Sequence, residues 1–247
     1  MRKLWLMSTM LVVITTTFAQ GLKPIAYADG TQELIGYVTA NAGRQLPGVL
    51  ILPAWKGIDD EAKHAAIALQ KEGYIAFIAD IYGTGNIPAD NTGAAKIAGH
   101  YKNDYRAYQQ RITCALDALK KSGAVADRIA VIGYCFGGTG ALEAARANLP
   151  VQGVVSIHGG LNKDSNRPNG KIKPKVLIEN PAEDKGVTPA ILDALIKELN
   201  DGDADWQLIT YAHCGHTFTN PLSAEYNERM AKRAWRHTLL FLEELLK

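Results

Sequence analysis

A cysteine occupies the centre of a glycine-rich hexapeptide, Gly-Tyr-Cys-Phe-Gly-Gly at residues 133–138. An apolar run at residues 129–132 precedes it, and a helix-forming segment follows it. A sharp turn from a strand into a helix strains its central residue and needs small residues two positions before and after it. Gly133 and Gly137 meet that need. Because free amides and the dipole at a helix N-terminus stabilise a thiolate, the pattern predicts that Cys135 is a nucleophile.

A carboxylate and a histidine follow Cys135 in the order that a nucleophile on such a turn requires. The predicted strand 176–179 leads into a loop with Asp184, and the predicted strand 206–211 leads into a loop with His216. Both loops leave the carboxyl edge of the sheet, where Cys135 also lies. We therefore predict Asp184 as the acid and His216 as the base. The alternatives left open are Glu179 and Glu183 for the acid, and His213 for the base.

Two other kinds of site are weighed at these residues. His213, Cys214 and His216 offer sulfur and imidazole ligands suited to zinc, but no second ligand pair with metal spacing accompanies them. The glycine-rich turn lacks the spacing of a nucleotide-binding loop. We therefore expect neither a metal nor a cofactor. His158 ends another predicted strand, and it either lines the pocket or is structural.

The elements that would hold these residues alternate between short apolar strands and amphipathic helices. Such alternation predicts an α/β protein with a mostly parallel sheet covered by helices on both faces. The predicted strands are residues 33–40, 48–52, 74–79, 128–133, 151–157, 176–179 and 206–211. The predicted helices are residues 59–72, 101–122, 136–148, 189–200 and 224–246. Polar segments at 83–99 and 162–175 are predicted to be loops.

The N-terminus has the pattern of a secretory signal peptide. Arg2 and Lys3 precede an apolar stretch at residues 4–14, and small residues follow up to Ala19. We predict cleavage before Gln20, with residues 20–247 as a single exported domain, either periplasmic or secreted. An uncleaved membrane anchor is the alternative, although the apolar stretch is short for a membrane span.

Composition limits the function classes that remain. The chain of 247 residues is 47% hydrophobic and 21% charged, which is typical of a globular protein. Loss of Arg2 and Lys3 cancels the formal charge of +2, so no nucleic-acid partner is expected. No later apolar run is long enough to cross a bilayer. Three cysteines leave at least one thiol unpaired, and a bridge between Cys114 and Cys214 stays open.

These motifs together make the chain resemble the dienelactone hydrolase family of α/β-hydrolases. The likeness runs through residues 48–53, 72–76 and 80–83, the hexapeptide, the Glu183-Asp184 pair, residues 215–218 and residues 226–235. The resemblance implies the α/β-hydrolase fold and a catalytic triad of Cys135, His216 and Asp184. It also implies an oxyanion hole built from the backbone amides of Phe136 and Trp55.

The chain departs from the family pattern at three positions. Ala54 stands where the family has a glutamate that helps to activate the thiol, and Thr84 and Asn220 stand where it has arginines that bind a substrate carboxylate. Without bidentate guanidinium groups an anionic lactone loses its orienting contacts. We therefore expect a monomeric esterase or lactonase that acts on uncharged or weakly polar small molecules rather than on dienelactone. The aromatic residues expected near its mouth are Trp55, Tyr82, Phe136 and Phe218.

Two functions of other classes compete with hydrolysis. A binding protein could keep the fold while Cys135 stays protonated and idle. A thiol redox protein could instead oxidise Cys135 to a sulfenic acid that Cys214 resolves. The second alternative predicts peroxide consumption that depends on both cysteines, whereas hydrolysis requires Cys135 alone.

Overall fold

A twisted sheet forms the centre of the computed structural model, which describes residues 21–247. Its strands are Leu22–Asp29 (β1), Gln32–Thr39 (β2), Leu46–Leu52 (β3), Ile75–Ile78 (β4), Ala124–Tyr134 (β5), Gly153–Ile157 (β6), Lys175–Pro181 (β7) and Trp206–Tyr211 (β8). The helices among the described residues are Asp60–Lys71 (α1), Asn91–Asn103 (α2), Tyr105–Lys121 (α3), Phe136–Arg146 (α4), Pro189–Asp201 (α5) and Glu228–Leu246 (α6).

The eight strands lie in the order β1-β2-β4-β3-β5-β6-β7-β8. β2 pairs antiparallel with both β1 and β4, and all other neighbouring strands are parallel. Helices α1 and α6 pack on one face, whereas α3, α4 and α5 pack on the other. β4 and β6 are buried along their whole length because both of their faces are covered. The predicted α/β class and its mostly parallel sheet are confirmed.

The first strand was not predicted from the sequence. β1 alternates half-buried and exposed residues at the edge of the sheet, so it lacks the apolar run that marks the inner strands. Among residues 21–247, β1 pairs with β2 alone. Its single-sided burial explains why hydrophobic patterning alone misses it.

The prediction of a loop at residues 83–99 is wrong in its second half, because α2 begins there. Asp90 starts this helix by accepting a hydrogen bond from the Gly93 amide at 2.7 Å. The single helix predicted for residues 101–122 is also wrong. Asp104 interrupts it with non-helical dihedral angles and caps α3 by accepting from the amide of Ala107 at 3.0 Å. Two aspartates at helix starts therefore explain both differences.

The part of the chain in residues 21–247 contains no helix that is both long and apolar enough to cross a membrane. The predicted signal peptide at residues 1–19 and its cleavage before Gln20 lie outside the described residues. The structure therefore leaves export as a prediction.

The helix that follows Cys135 is fixed at its far end by a buried ion network. Arg146 lies 2.9 Å from Glu143 on its own helix and 2.9 Å from Glu198 on α5. It also donates a hydrogen bond to the carbonyl of Leu161. The network connects α4 to α5 and to the loop after β6, so it stabilises the orientation of the helix that begins beside the cysteine.

We expect Arg146→Met to lower the free energy of unfolding by about 3 kcal/mol, because two buried carboxylates lose their shared cation. Lys163 and Arg167 still neutralise part of that charge, so the loss should lie at the lower end of the usual range. Urea unfolding followed by circular dichroism measures it. Lys197→Met, which breaks an exposed ion pair on α5, is the matched control and should leave the midpoint unchanged.

Candidate active site

Cys135 lies in a strained turn between β5 and α4. Its backbone angles are φ 53° and ψ −111°, in the left-handed half of conformational space that residues other than glycine seldom adopt. A Cβ atom on Gly133 would lie 2.0 Å from the carbonyl oxygen of Gly137, and one on Gly137 would lie 2.0 Å from the carbonyl oxygen of Leu52. Both glycines are therefore required by the close approach of backbone atoms, as the sequence pattern predicts.

The structure brings Cys135, His216 and Asp184 into one hydrogen-bonded row. Nε2 of His216 lies 3.0 Å from Sγ of Cys135, and Nδ1 of His216 lies 2.6 Å from Oδ2 of Asp184. Since an ionised carboxylate only accepts, His216 carries its Nδ1 proton toward Asp184. The row matches the geometry of a nucleophile, a base and an orienting acid.

Charges in this row shift the pKa values of its members. The hydrogen bond to Asp184, followed by the one to Cys135, raises the pKa of His216 to about 10. Burial acts to raise the pKa of Asp184, but hydrogen bonds from His216 and the Gly186 amide outweigh it and hold that pKa below its ordinary value. At neutral pH the row therefore contains an imidazolium next to an ionised carboxylate.

The residues left open as alternatives lie elsewhere. Glu179 is buried within β7 and accepts a hydrogen bond from Thr238 on α6 at 3.1 Å. Glu183 and His213 are exposed and contact each other, with 3.2 Å between Oε1 of Glu183 and Nδ1 of His213. Of the candidates, His216 is the one hydrogen-bonded to the cysteine, and Asp184 is the acid hydrogen-bonded to His216.

The two residues whose amides were expected to form the oxyanion hole are held by tyrosine hydroxyls. Tyr82 donates a hydrogen bond to the carbonyl of Trp55 at 2.8 Å, and Tyr108 donates one to the carbonyl of Phe136 at 3.0 Å. The rings of Tyr108 and Phe136 stack with centroids 4.6 Å apart. The sequence did not single out Tyr108, because a tyrosine within an amphipathic helix carries no local signal of such a contact.

Four aromatic side chains are predicted to lie near the mouth of the site, and three of them are buried. Trp55 is half-buried, whereas the side chains of Tyr82, Phe136 and Phe218 are at most 2% exposed. Phe218 stacks on Tyr211 with ring centroids 5.2 Å apart and belongs to a small core cluster below the loop. We therefore correct the prediction for Tyr82, Phe136 and Phe218, because buried rings offer substrate no open surface, whereas the role of Trp55 stays a prediction.

The positions where the chain departs from the family pattern carry no cation. Ala54 is half-buried and Thr84 is exposed. Asn220 uses its side-chain oxygen locally, to accept a hydrogen bond from the amide of Leu222 at 2.9 Å. None of these side chains can replace a guanidinium group that binds a carboxylate.

His158 lies directly beside the row. Its Nδ1 accepts a hydrogen bond from the Cys135 amide at 3.1 Å, and its ring centroid lies 5.3 Å from that of His216. Its Nε2 contacts Thr219, which in turn contacts Glu61 on α1. From the sequence, His158 is predicted to be either pocket-lining or structural, and no motif singles out Thr219 or Glu61.

All three cysteines are free, so Cys114 and Cys214 are not bridged. Cys214 is completely buried, and burial raises the pKa of its thiol. Among residues 21–247, no group of three or more histidine, cysteine and acidic side chains is arranged to hold a metal ion. The two histidines of residues 213–216 have different partners, since His213 contacts Glu183 and His216 contacts Cys135.

The parallel sheet, the strained cysteine turn and the adjoining acid and histidine loops are those of an α/β-hydrolase. The model of the dienelactone hydrolase family matches residues 34–246, and the chain belongs to that family. It is accordingly an enzyme of the hydrolase class, as predicted.

Individual relatives agree with this assignment. The chain is 30% identical to a Bradyrhizobium protein named "Probable 2-oxo-3-(5-oxofuran-2-ylidene)propanoate lactonase", over 80% of this chain and 84% of the relative. It superposes with a TM-score of 0.85 on a dienelactone hydrolase-like promiscuous phosphotriesterase from metagenomic libraries, at 29% identity, covering 92% of this chain and 98% of that one. A dienelactone hydrolase from Anabaena variabilis shares the fold with a TM-score of 0.68 at 18% identity, covering 92% and 100% of the two chains.

Proposed function

We propose that this enzyme hydrolyses uncharged carboxylic esters or lactones through a Cys135, His216 and Asp184 triad. The observation that carries the proposal is the row from Cys135 Sγ to His216 Nε2 at 3.0 Å and from His216 Nδ1 to Asp184 Oδ2 at 2.6 Å. It places Nε2 of His216 within hydrogen-bond distance of the sulfur, so this imidazole can accept the thiol proton and leave a thiolate nucleophile.

Acylation follows from this arrangement. The thiolate of Cys135 attacks the carbonyl carbon, a carbon–sulfur bond forms, and the carbonyl electron pair moves to oxygen. When the tetrahedral intermediate collapses, the carbon–oxygen bond of the alcohol breaks and His216 donates its Nε2 proton to the leaving oxygen. The product of this half-reaction is a thioester on Cys135. When the substrate is a lactone, the released alcohol stays attached to the acyl group.

Deacylation uses the same groups in reverse. His216, now neutral, accepts a proton from water, and the hydroxide attacks the thioester carbonyl. The sulfur leaves as a thiolate, the imidazolium is restored, and a carboxylic acid is released. Asp184 keeps the Nδ1 proton in place throughout, because its carboxylate accepts the hydrogen bond from that atom. The net reaction consumes one water for each ester bond.

The developing oxyanion needs two donors, and we assign the backbone amides of Trp55 and Phe136 to that role. The tyrosine hydroxyls on the carbonyls of these residues restrict the two peptide segments before substrate binds. Donors that are already oriented stabilise developing charge without reorganisation, which is the largest contribution in acyl transfer. This assignment is consistent with a site for esters and lactones.

A captured acyl-enzyme tests the mechanism directly. Wild-type protein quenched in acid during turnover of p-nitrophenyl butyrate should gain the mass of one butyryl group on the peptide that contains Cys135. Protein alkylated beforehand with iodoacetamide is the control and should gain none. A butyryl group on any other residue would overturn the assignment of the nucleophile.

We expect the enzyme to prefer neutral esters over anionic ones. The value of kcat/KM for p-nitrophenyl butyrate should exceed that for p-nitrophenyl hemisuccinate by at least about tenfold, because no guanidinium group replaces the hydration of the substrate carboxylate. Initial rates at one ionic strength measure the ratio. Asn220→Arg should reduce it by speeding the anionic ester, and a wild-type preference for hemisuccinate would contradict the substrate class.

Export is the second part of the proposal and depends on the sequence of residues 1–19. Expression of the full chain in a bacterial host should yield a periplasmic or secreted protein that starts at Gln20. N-terminal sequencing of that fraction checks it, and protein that retains residues 1–19 in the membrane fraction would favour the anchor instead. We also propose that the mature enzyme is a monomer, which sedimentation measures.

A further inference from the structure

We propose that Glu61, Thr219 and His158 form a second hydrogen-bonded chain that positions Cys135 and stabilises the charge on His216. This inference rests on the proposed function, because it assigns a role to residues that lie behind the same triad. The three residues come from α1, from the loop before α6 and from the loop after β6. They therefore connect three separate elements at the carboxyl edge of the sheet.

The direction of every hydrogen bond in this chain follows from its first member. A backbone amide only donates, so the Cys135 amide donates to Nδ1 of His158 at 3.1 Å and leaves the proton of a neutral imidazole on Nε2. That nitrogen donates to the hydroxyl of Thr219 at 2.8 Å. The hydroxyl then has its own hydrogen for Oε1 of Glu61, 2.6 Å away. The chain thus ends on a carboxylate acceptor.

The chain requires a neutral His158, and the structure provides the reason for it. Complete burial, followed by the nearby charge of His216, lowers the pKa of His158 to about 3. A protonated imidazole would direct an N–H group at the Cys135 amide and break the first hydrogen bond. Two imidazoles with centroids 5.3 Å apart cannot both be charged without strong repulsion, so the positive charge resides on His216.

The first hydrogen bond acts on the strained residue itself. Cys135 has φ 53°, and its amide is shared between the carbonyl of Ile157 and the ring of His158, both at 3.1 Å. A strained backbone persists when its surroundings over-determine it. His158 supplies one of two acceptors that hold this amide, and Glu61 and Thr219 hold His158 in the accepting tautomer.

Glu61 adds a second contribution through its charge. The side chain is buried beside a mostly apolar cavity of about 580 Å³ between α1 and α6. Burial and, to a smaller extent, the nearby charge of Asp59 raise the pKa of Glu61 to about 7, while the Thr219 hydroxyl and the charge of His216 act to lower it. Coupling between two charges is reciprocal, so an ionised Glu61 favours the protonated form of His216. The other groups that face His216 are Asp184, Cys135, His158 and Glu225.

Glu61→Gln tests the contribution of this charge alone, because glutamine removes the negative charge and keeps an acceptor oxygen for Thr219. Above pH 8 we expect kcat for p-nitrophenyl butyrate to fall about fivefold with KM unchanged, and the alkaline limb of kcat/KM to move about half a unit to lower pH. The alkaline limb moves to lower pH because the variant lacks an anion that stabilises the His216 imidazolium. Below about pH 6, where Glu61 is protonated in the wild type, the two proteins should have equal rates.

Thr219→Val breaks the chain and leaves the charge in place. It should lower kcat at every pH, and Thr219→Ser should restore it, because serine returns the hydroxyl. Asp60→Asn removes a charge from the same turn of α1 without touching the chain, so it is the matched control and should retain the wild-type profile. A purely structural role of Glu61 would lower rates at low and high pH alike.

The rate of iodoacetamide alkylation at Cys135 supplies a readout that does not depend on turnover. If the wild type hydrolyses the ester and the pH profiles of Glu61→Gln and wild type coincide in both assays, the inference is overturned while the proposed function stands. If the wild type does not hydrolyse esters, the proposed function fails, and a shifted alkylation profile in Glu61→Gln alone would still support the chain. Equal alkylation profiles would then reject both.

Discussion

Replacing Cys135 with alanine should abolish the hydrolysis of p-nitrophenyl butyrate, and replacing His216 with alanine should lower kcat by at least about 1,000-fold. The first change removes the sulfur that contacts His216. The second removes the imidazolium at 3.0 Å from that sulfur, so the leaving alcohol loses its proton donor and water loses its base. Steady-state rates on freshly reduced protein measure both effects.

The other two cysteines supply the controls. Cys114→Ala should retain wild-type rates, because this thiol lies on α3 and contacts Gln110 rather than the site. Peroxide consumption that requires both Cys135 and Cys214 would favour redox chemistry, although Cys214 is completely buried. If the wild type hydrolyses no ester and Cys135 is alkylated slowly, a binding protein is favoured instead. Full activity in Cys135→Ala would refute the triad.

The turn around Cys135 could be predicted from the sequence because its constraint is local. A Cβ atom on Gly133 or Gly137 would collide with backbone atoms of the turn or of the adjacent strand. The spacing of these two glycines therefore identifies the turn in the sequence. The order of Asp184 and His216 could be predicted for a related reason, since loops after parallel strands reach the same edge. Which acid and which histidine meet was decided only in three dimensions, where Glu183 and His213 pair with each other on the surface.

The contacts of Glu61, Thr219 and His158 could not be predicted, because they join distant parts of the chain. Thr219 and Glu61 are separated by 158 positions, and Cys135 and His158 by 23. Neither Glu61 nor Thr219 belongs to a motif, and an acidic residue in the first turn of a helix is ordinarily explained by the helix dipole. The burial of Phe218 was missed likewise, since a loop aromatic can equally face substrate or the core.

Gly137→Ala tests the turn at the level of folding, and its expected effect on stability is the largest of any substitution considered. The new methyl group would lie 2.0 Å from the carbonyl oxygen of Leu52 and 2.5 Å from its carbonyl carbon. Both atoms belong to the backbone of β3, which is buried in the sheet and cannot move aside. We expect a loss of more than about 4 kcal/mol in the free energy of unfolding, or a protein that fails to fold.

Gly99→Ala separates this steric effect from the general consequence of adding a methyl group to a helix. Gly99 lies in α2, and a Cβ atom there would meet no heavy atom within 4 Å apart from its chain neighbours and the backbone of its own helix. Alanine is favoured over glycine in helices by about 0.5–1 kcal/mol, so this variant should be slightly more stable than the wild type. Urea unfolding of both variants, or their soluble fraction after expression, measures the contrast. A Gly137→Ala protein as stable as Gly99→Ala would mean that β3 and α4 are farther apart than this structure has them, and that the spacing of the glycines around Cys135 is not a steric requirement.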